Sequence, residues 1–215
     1  MKDDPTPPPG LPDPPLIAIL RGLRPEEAIA VGSALLEAGF RILEVPLNSP
    51  DPFASIGRLA RGFGDRALVG AGTVRRAEEI ERLVDAGGRL LVTPHADPAL
   101  IRAGVARGLV TVPGIATPTE AFAALDAGAV ALKLFPAEML GPAVVRALRA
   151  VLPAEVALLP VGGITPENLA AYRAAGARGF GIGSALFRPG DPPARVAERA
   201  RAFLDAWRAA SPGSA

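Results

Sequence analysis

Three observations predict an α/β fold, specifically a (β/α)8 TIM barrel. Short β-like runs alternate with helical ones, helix stops recur at a regular interval, and no dinucleotide-binding fingerprint follows the first strand. Eight strand candidates stand out: Leu16–Arg21, Ile42–Leu47, Ala67–Thr73, Leu90–Pro94, Val110–Pro113, Ala129–Phe135, Ala157–Val161 and Gly179–Gly183. An alanine-rich amphipathic stretch follows each of them. Stops at Gly39, Gly64, Gly87, Gly108, Gly128, Pro153 and Gly176 lie 25, 23, 21, 20, 25 and 23 residues apart, the length of one βα unit. An open doubly wound sheet is the competing architecture, and it usually carries Gly-x-Gly-x-x-Gly after its first strand, which is missing here.

Taken in order, residues 1–15 carry seven prolines and little apolar surface, which predicts a flexible leader. The tail 211–215 reads the same way, leaving 16–210 as one barrel domain. Strand 1 is apolar from Leu16 to Leu20 and ends in Arg21, which can reach the top of the barrel. Its helix opens at Leu23-Arg24-Pro25-Glu26, and the same start recurs at Ala116-Thr117-Pro118-Thr119 and Ile164-Thr165-Pro166-Glu167. Proline suits the first helical turn, where its missing N–H costs nothing. Gly39, Gly87, Gly108, Gly128 and Gly176 stand where a left-handed C-cap is needed before the next strand.

Strand 2 puts Ile42, Glu44, Pro46 and Asn48 on one face and Leu43, Val45 and Leu47 on the other. The larger aliphatics fit the helix layer, so Glu44 points into the barrel. Strand 3 ends in Gly70-Ala71-Gly72-Thr73, which offers a small inward hydroxyl. Strand 4 ends at Pro94, and the following His95 is given no role. In strand 6, Ala131, Lys133 and Phe135 share the inward face, opposite Val130, Leu132 and Leu134. Val161-Gly162-Gly163-Ile164 and Gly181-Ile182-Gly183-Ser184 follow strands 7 and 8, where barrels commonly turn backbone N–H groups toward a phosphate.

Composition narrows the functional classes. With 215 residues, 49% of them hydrophobic, the chain can bury the core of one barrel. A net charge of +1 with scattered arginines points to neither nucleic acid nor a membrane surface. No apolar run approaches the roughly 20 residues of a membrane span. Absence of cysteine excludes disulfides and thiol catalysis, and a single histidine rules out a histidine-rich zinc site, so no metal is expected. A soluble, cytoplasmic protein is the expectation.

Lysine usage is the sharpest compositional signal. Lys2 and Lys133 are the only lysines among 23 basic residues, and only Lys133 lies in the barrel. An amine, unlike a guanidinium, can lose its proton when desolvated and attack a carbonyl. The competing reading is a lysine snorkelling from a strand end to solvent. Interior charges at strand tops could likewise form an ion-pair network that only stabilises the barrel, although in this fold that layer collects catalytic groups.

Together these parts describe a metal-independent aldolase forming a Schiff base with a phosphorylated 2-oxo acid. Lys133 would condense with the ketone, Glu44 would move protons, Arg21 and Thr73 would hold the carboxylate, and the glycine loops would take the phosphate. Two other classes use the same parts. An inward lysine could hold pyridoxal phosphate, with thin support from one tyrosine, one tryptophan and eight phenylalanines; or the barrel could bind a phosphosugar without catalysis.

The segments Ile17-Ala-Ile-Leu-Arg21-Gly22, Glu44-Val-Pro-Leu-Asn48-Ser-Pro50, Gly70-Ala-Gly-Thr73-Val74, Leu132-Lys133-Leu-Phe135-Pro136-Ala137 and Pro160-Val-Gly162-Gly163-Ile164 resemble the 2-keto-3-deoxy-6-phosphogluconate aldolase family, from about residue 15 to 205. The resemblance implies a homotrimeric class I aldolase without cofactor, with Lys133 as Schiff-base lysine and Glu44 as proton shuttle. It also implies substrate contacts at Arg21, Thr73, Asn48, Phe135, Gly162, Gly163, Gly183 and Ser184. Gluconate-type members read Glu-Val-Thr-Leu-Arg-Thr where this chain reads Glu44-Val45-Pro46-Leu47-Asn48-Ser49. That version is similar to the branch acting on the C4 epimer, 2-dehydro-3-deoxy-6-phosphogalactonate. A gluconate or 4-hydroxy-2-oxoglutarate substrate with the same mechanism is the alternative.

Overall fold

A computed structural model describes residues 10–210 of the chain. Its strands are β1 (Leu16–Ile19), β2 (Ile42–Pro46), β3 (Leu68–Gly72), β4 (Leu90–Val92), β5 (Val110–Val112), β6 (Gly114–Ile115), β7 (Ala131–Leu134), β8 (Ala157–Pro160) and β9 (Phe180–Ile182). The helices are α1 (Ala28–Ala38), α2 (Pro52–Phe63), α3 (Ala77–Asp85), α4 (Pro98–Ala106), α5 (Pro118–Asp126), α6 (Ala137–Arg149), α7 (Pro166–Ala174) and α8 (Pro193–Ala209).

All strand pairs are parallel and run in two arcs, β5-β4-β3-β2-β1-β9 and β6-β7-β8. The arcs join at both ends, closing the barrel. On one side Val130 N–H donates to Thr111 O at 3.2 Å and Lys133 N–H to Pro113 O at 2.9 Å. On the other, Val161 bridges Gly181. The expected fifth strand is thus cut in two at Pro113, whose nitrogen carries no proton for the ladder. The eightfold reading stands, with one strand interrupted.

Alternation sorts the strand residues into two cores. Ile17, Ile19, Ile42, Leu90, Val112 and Leu159 pack with one another inside the barrel. Leu16, Ala18, Leu43, Val45, Leu132 and Leu134 pack outward against the helices. β9 is fixed from outside by Phe180, which meets Tyr172 of α7 and Trp207 of α8 edge-on at centroid separations of 6.3 and 6.2 Å. The Tyr172 hydroxyl, in turn, donates to Ala137 O at the start of α6 (2.8 Å), steadying the turn just beyond Lys133.

The punctuation behaves as its chemistry requires. Gly39, Gly87, Gly108, Gly128 and Gly176 all adopt left-handed backbone, with φ between 72° and 119°. Pro118 and Pro166 open α5 and α7 as anticipated, behind capping boxes of Thr117 with Glu120 and Thr165 with Asn168. Pro25 does not open α1. It sits in a turn closed by Glu27 N–H to Arg24 O and Ala28 N–H to Pro25 O, and α1 begins at Ala28.

The leader needs correction. Residues 1–9 and 211–215 lie outside the described residues, but Gly10–Pro15 belong to the barrel. Leu11 is 5% exposed and belongs to the interior cluster that holds Ile17 and Leu68. Pro15 O accepts from Phe180 N–H at 3.0 Å, extending the β1–β9 contact. The proline count suggested a segment that could not order itself, yet the interior cluster gives Leu11 an apolar surface to join. No helix among the described residues is long and apolar enough to cross a membrane.

Leu11→Ala should lower the unfolding free energy by about 2–3 kcal/mol in urea at unchanged slope. An unchanged midpoint would mean that Leu11 adds nothing to the core.

Candidate active site

Lys133 and Glu44 lie where alternation put them, inside the barrel near its top. Lys133 is 7% exposed and Glu44 2%. Lys133 stands beside Gly114 on β6 and Leu159 on β8, and Glu44 beside Ile19 on β1 and Gly70 on β3. Glycine at 72 is a steric requirement, because a Cβ there would overlap the Glu44 carboxylate.

That carboxylate is poorly solvated: Glu44 Oε2 is buried with no hydrogen-bond partner among the described residues. Burial pushes the Glu44 carboxyl up to about 7, against the pull of the Lys133 and Arg21 charges. Burial likewise lowers the Lys133 amine; Glu44 opposes that shift and the Arg21 cation adds to it. Both groups are therefore displaced toward neutrality, the carboxyl upward and the amine downward. An uncharged amine beside a protonated acid is the pairing that carbinolamine formation and dehydration need. Lys133 Nζ lies 4.7 Å from the centroid of the Phe135 ring, and that ring also faces the cavity above.

The cavity has a volume of about 730 Å³. Seven anticipated residues line it: Arg21, Asn48, Phe135, Gly162, Gly163, Gly183 and Ser184. Arg21 donates through a guanidinium nitrogen to Asn48 Oδ1, so the amide oxygen of Asn48 is engaged by that bond. At the far end Gly162 and Gly163 have φ of 105° and 66°, values that suit glycine, and they lead into the capped N-terminus of α7. A Cβ on Gly163 would also meet Glu138 Cβ at 2.7 Å. Gly183, by contrast, has open space at its missing side chain.

Thr73 is not delivered by strand alternation. β3 ends at Gly72, and Thr73 follows with left-handed backbone (φ 59°), half-buried and off the residues that line the cavity. The lining residues given no role in the sequence include Val161, Glu138, Thr165 and Arg188. Val161 and Thr165 flank the glycine pair and could have been found by proximity to it. Glu138 follows the Lys133 strand by one turn. Arg188 carried no signal, being one arginine among many. Among the described residues, no group of three or more His, Asp or Glu is placed to hold a metal ion.

Comparison with known proteins gives one consistent result. The family model described as KDPG and KHG aldolase matches residues 11–191. The chain is similar to the probable 2-dehydro-3-deoxy-6-phosphogalactonate aldolase of Rhizobium meliloti (strain 1021), 52% identical over 91% of this chain and 92% of that one. To the 2-dehydro-3-deoxy-6-phosphogalactonate aldolase of Escherichia coli (strain K12) it is 50% identical, over 91% of this chain and 96% of that one. A solved structure described as native KDPGal superposes with a TM-score of 0.91 at 49% identity, covering 93% of this chain and 97% of that one. A cube-shaped protein cage designed by fusing symmetric oligomeric domains gives the same TM-score and identity, covering 93% of this chain and 74% of that one. A KDPG aldolase from Legionella pneumophila, with pyruvate captured as a covalent carbinolamine, superposes at 0.79 with 28% identity, covering 88% and 93%.

The Glu44 shift has a consequence for stability. Unfolded, this carboxyl releases its proton near 4.5; folded, it holds it to about 7. The folded chain binds the extra proton between those values, so it loses stability as pH rises through them. Glu44→Gln lacks this loss. Its stability relative to the parent should rise between pH 4.5 and 7 by on the order of 3 kcal/mol, read from denaturant midpoints. A difference that stays flat with pH would contradict the shift.

Proposed function

The chain belongs to the KDPG and KHG aldolase family, and on that premise we propose that it cleaves 2-dehydro-3-deoxy-6-phosphogalactonate to pyruvate and glyceraldehyde 3-phosphate. One observation carries the reading: a buried lysine and a buried carboxyl are both displaced toward neutrality, and Phe135, whose ring lies against the lysine amine, lines a cavity together with Arg21 and the Gly162–Gly163 turn.

In this reading Lys133 attacks the C2 ketone as the free amine. Glu44 protonates the carbinolamine hydroxyl, which leaves as water and gives an iminium. A base then takes the proton of the C4 hydroxyl, the C3–C4 bond breaks, and its electron pair moves toward the iminium nitrogen. Glyceraldehyde 3-phosphate departs, leaving an enamine. Glu44, which becomes ionised on donating its proton, can serve as that base and afterwards return a proton to C3. Water hydrolyses the resulting iminium and frees pyruvate. Arg21 holds the carboxylate beside the reacting carbon, and Phe135 covers the Lys133 amine. Gly162, Gly163, Gly183 and Ser184 receive the phosphate with the N-terminus of α7. Thr73 remains a proposed carboxylate contact, from the rim rather than from the strand.

The galactonate epimer is favoured because the two relatives that are half identical carry that name. Asn48, held by Arg21, offers its amide N–H2 to a substrate hydroxyl in the cavity. A homotrimer is the assembly we propose, supported by similarity to a designed cage fused from symmetric oligomeric domains. A cytoplasmic location accords with a substrate that carries two anionic groups.

Borohydride reduction with pyruvate should add one covalent pyruvate to Lys133 in the parent and none in Lys133→Arg, as read by mass spectrometry. Full cleavage activity in Lys133→Arg would overturn the mechanism. Pyruvate release should favour the galactonate over the gluconate epimer by roughly tenfold or more in kcat/KM. Equal values would remove the epimer assignment.

A further inference from the structure

We infer that Arg188 is the residue that makes this cavity demand a phosphorylated substrate, acting as the counter-charge of the phosphate. The inference rests on the reading of the cavity as an aldolase site and assigns the charge at its distal end. Arg21 and Arg188 are its two lining arginines. Arg21 sits at the reactive end, where it bonds Asn48 and acts on both Lys133 and Glu44. Arg188 is not among the charges acting on either group, and it stands beside Ser184.

Charge balance shows why the glycine loops need it. A phosphate monoester carries about −1.5 to −2 near neutral pH. The N-terminus of α7 offers roughly half a positive charge. Glu138, whose side chain packs against Gly163, brings a carboxylate into the same cavity. Backbone N–H groups and a helix end would leave such a ligand under-compensated. A guanidinium supplies a full charge in a planar fork that matches phosphate oxygens two at a time.

Arg188 is also held ready for that role. Its Nε donates to Ser184 O at 3.1 Å, and its backbone N–H to Asp191 Oδ2 at 2.9 Å. Asp191 is anchored in turn by Arg199 of α8, whose Nη1 donates to Asp191 Oδ2 at 2.5 Å. Neither terminal nitrogen of Arg188 hydrogen-bonds a described residue. The next residue, Pro189, packs so closely over Gly22 (φ 84°) that a Cβ there would lie 2.6 Å from Pro189 Cγ. The loop carrying Arg188 is thereby seated against the end of β1, over the mouth of the cavity.

The test compares the full-length parent with Arg188→Gln and Arg188→Lys. Two substrates are needed, 2-dehydro-3-deoxy-6-phosphogalactonate and the same acid without phosphate. For Arg188→Gln, kcat/KM on the phosphorylated substrate should fall at least about tenfold, mainly through KM, while the other substrate changes less than about twofold. Arg188→Lys should recover part of the loss, since it restores charge without the fork. Equal losses on both substrates, or none, would overturn the inference. Calorimetric titration with inorganic phosphate supplies a readout that needs no turnover: the glutamine variant should bind roughly tenfold more weakly, and equal binding would also overturn it. Pyruvate trapping on Lys133 separates the two ideas. Failure of trapping in the parent defeats the Schiff-base reading, whereas trapping in both proteins with unchanged phosphate dependence defeats only the role of Arg188.

Discussion

Glu44 holds a carboxyl group inside an apolar barrel with one oxygen unsatisfied, and the chemistry above it depends on that placement. A carboxylate in such a place costs several kcal/mol unless it is paired or protonated. The nearby charges of Lys133 and Arg21 offset only part of the desolvation, so the group keeps its proton toward neutral pH. Lys133 faces the same desolvation with the opposite sign, and the support each group lends the other's charged form is smaller than the effect of burial. Neither could be displaced to solvent without losing the effect. Gly72 leaves the room for this on the neighbouring strand, since a Cβ there would strike the Glu44 carboxylate.

The cavity above is organised by charge along its length. Its inner end is cationic through Arg21 and can take a carboxylate next to the amine; its outer end is built from backbone N–H groups, the α7 terminus and Arg188. In the proposed reading, a substrate with an anion at each end would be oriented by these two ends. Asn48 and Val161 also line the cavity.

Much of this was legible in the sequence because a barrel strand has period two. Once the large aliphatics of strands 2 and 6 were assigned to the helix layer, Glu44 and Lys133 had to face inward, and they do. The same rule failed for Thr73, since alternation holds only while the backbone is extended and β3 stops one residue earlier. Leu11 was lost in a proline-rich context whose composition says nothing about the interior cluster it joins. Pro113 read as the end of a strand, whereas the chain continues through it as β6. Arg188 was illegible for another reason: its position depends on Ser184, Asp191, Arg199 and the packing of Pro189 on Gly22, and no local pattern encodes that set.

Closure of the barrel joins its first strand to its last. Leu16 pairs with Phe180, and Pro15 O receives the Phe180 N–H, so the seam links segments nearly the whole described chain apart. A chain emerging from the ribosome cannot complete its interior until β9 has been made. Until then Ile17, Ile19 and Leu11 have an unpaired strand edge beside them. Such non-local pairing slows folding and prolongs exposure of apolar surface during synthesis. The candidate site, which draws on β1, β2, β7 and the loops after β8 and β9, is assembled only by that final stitch.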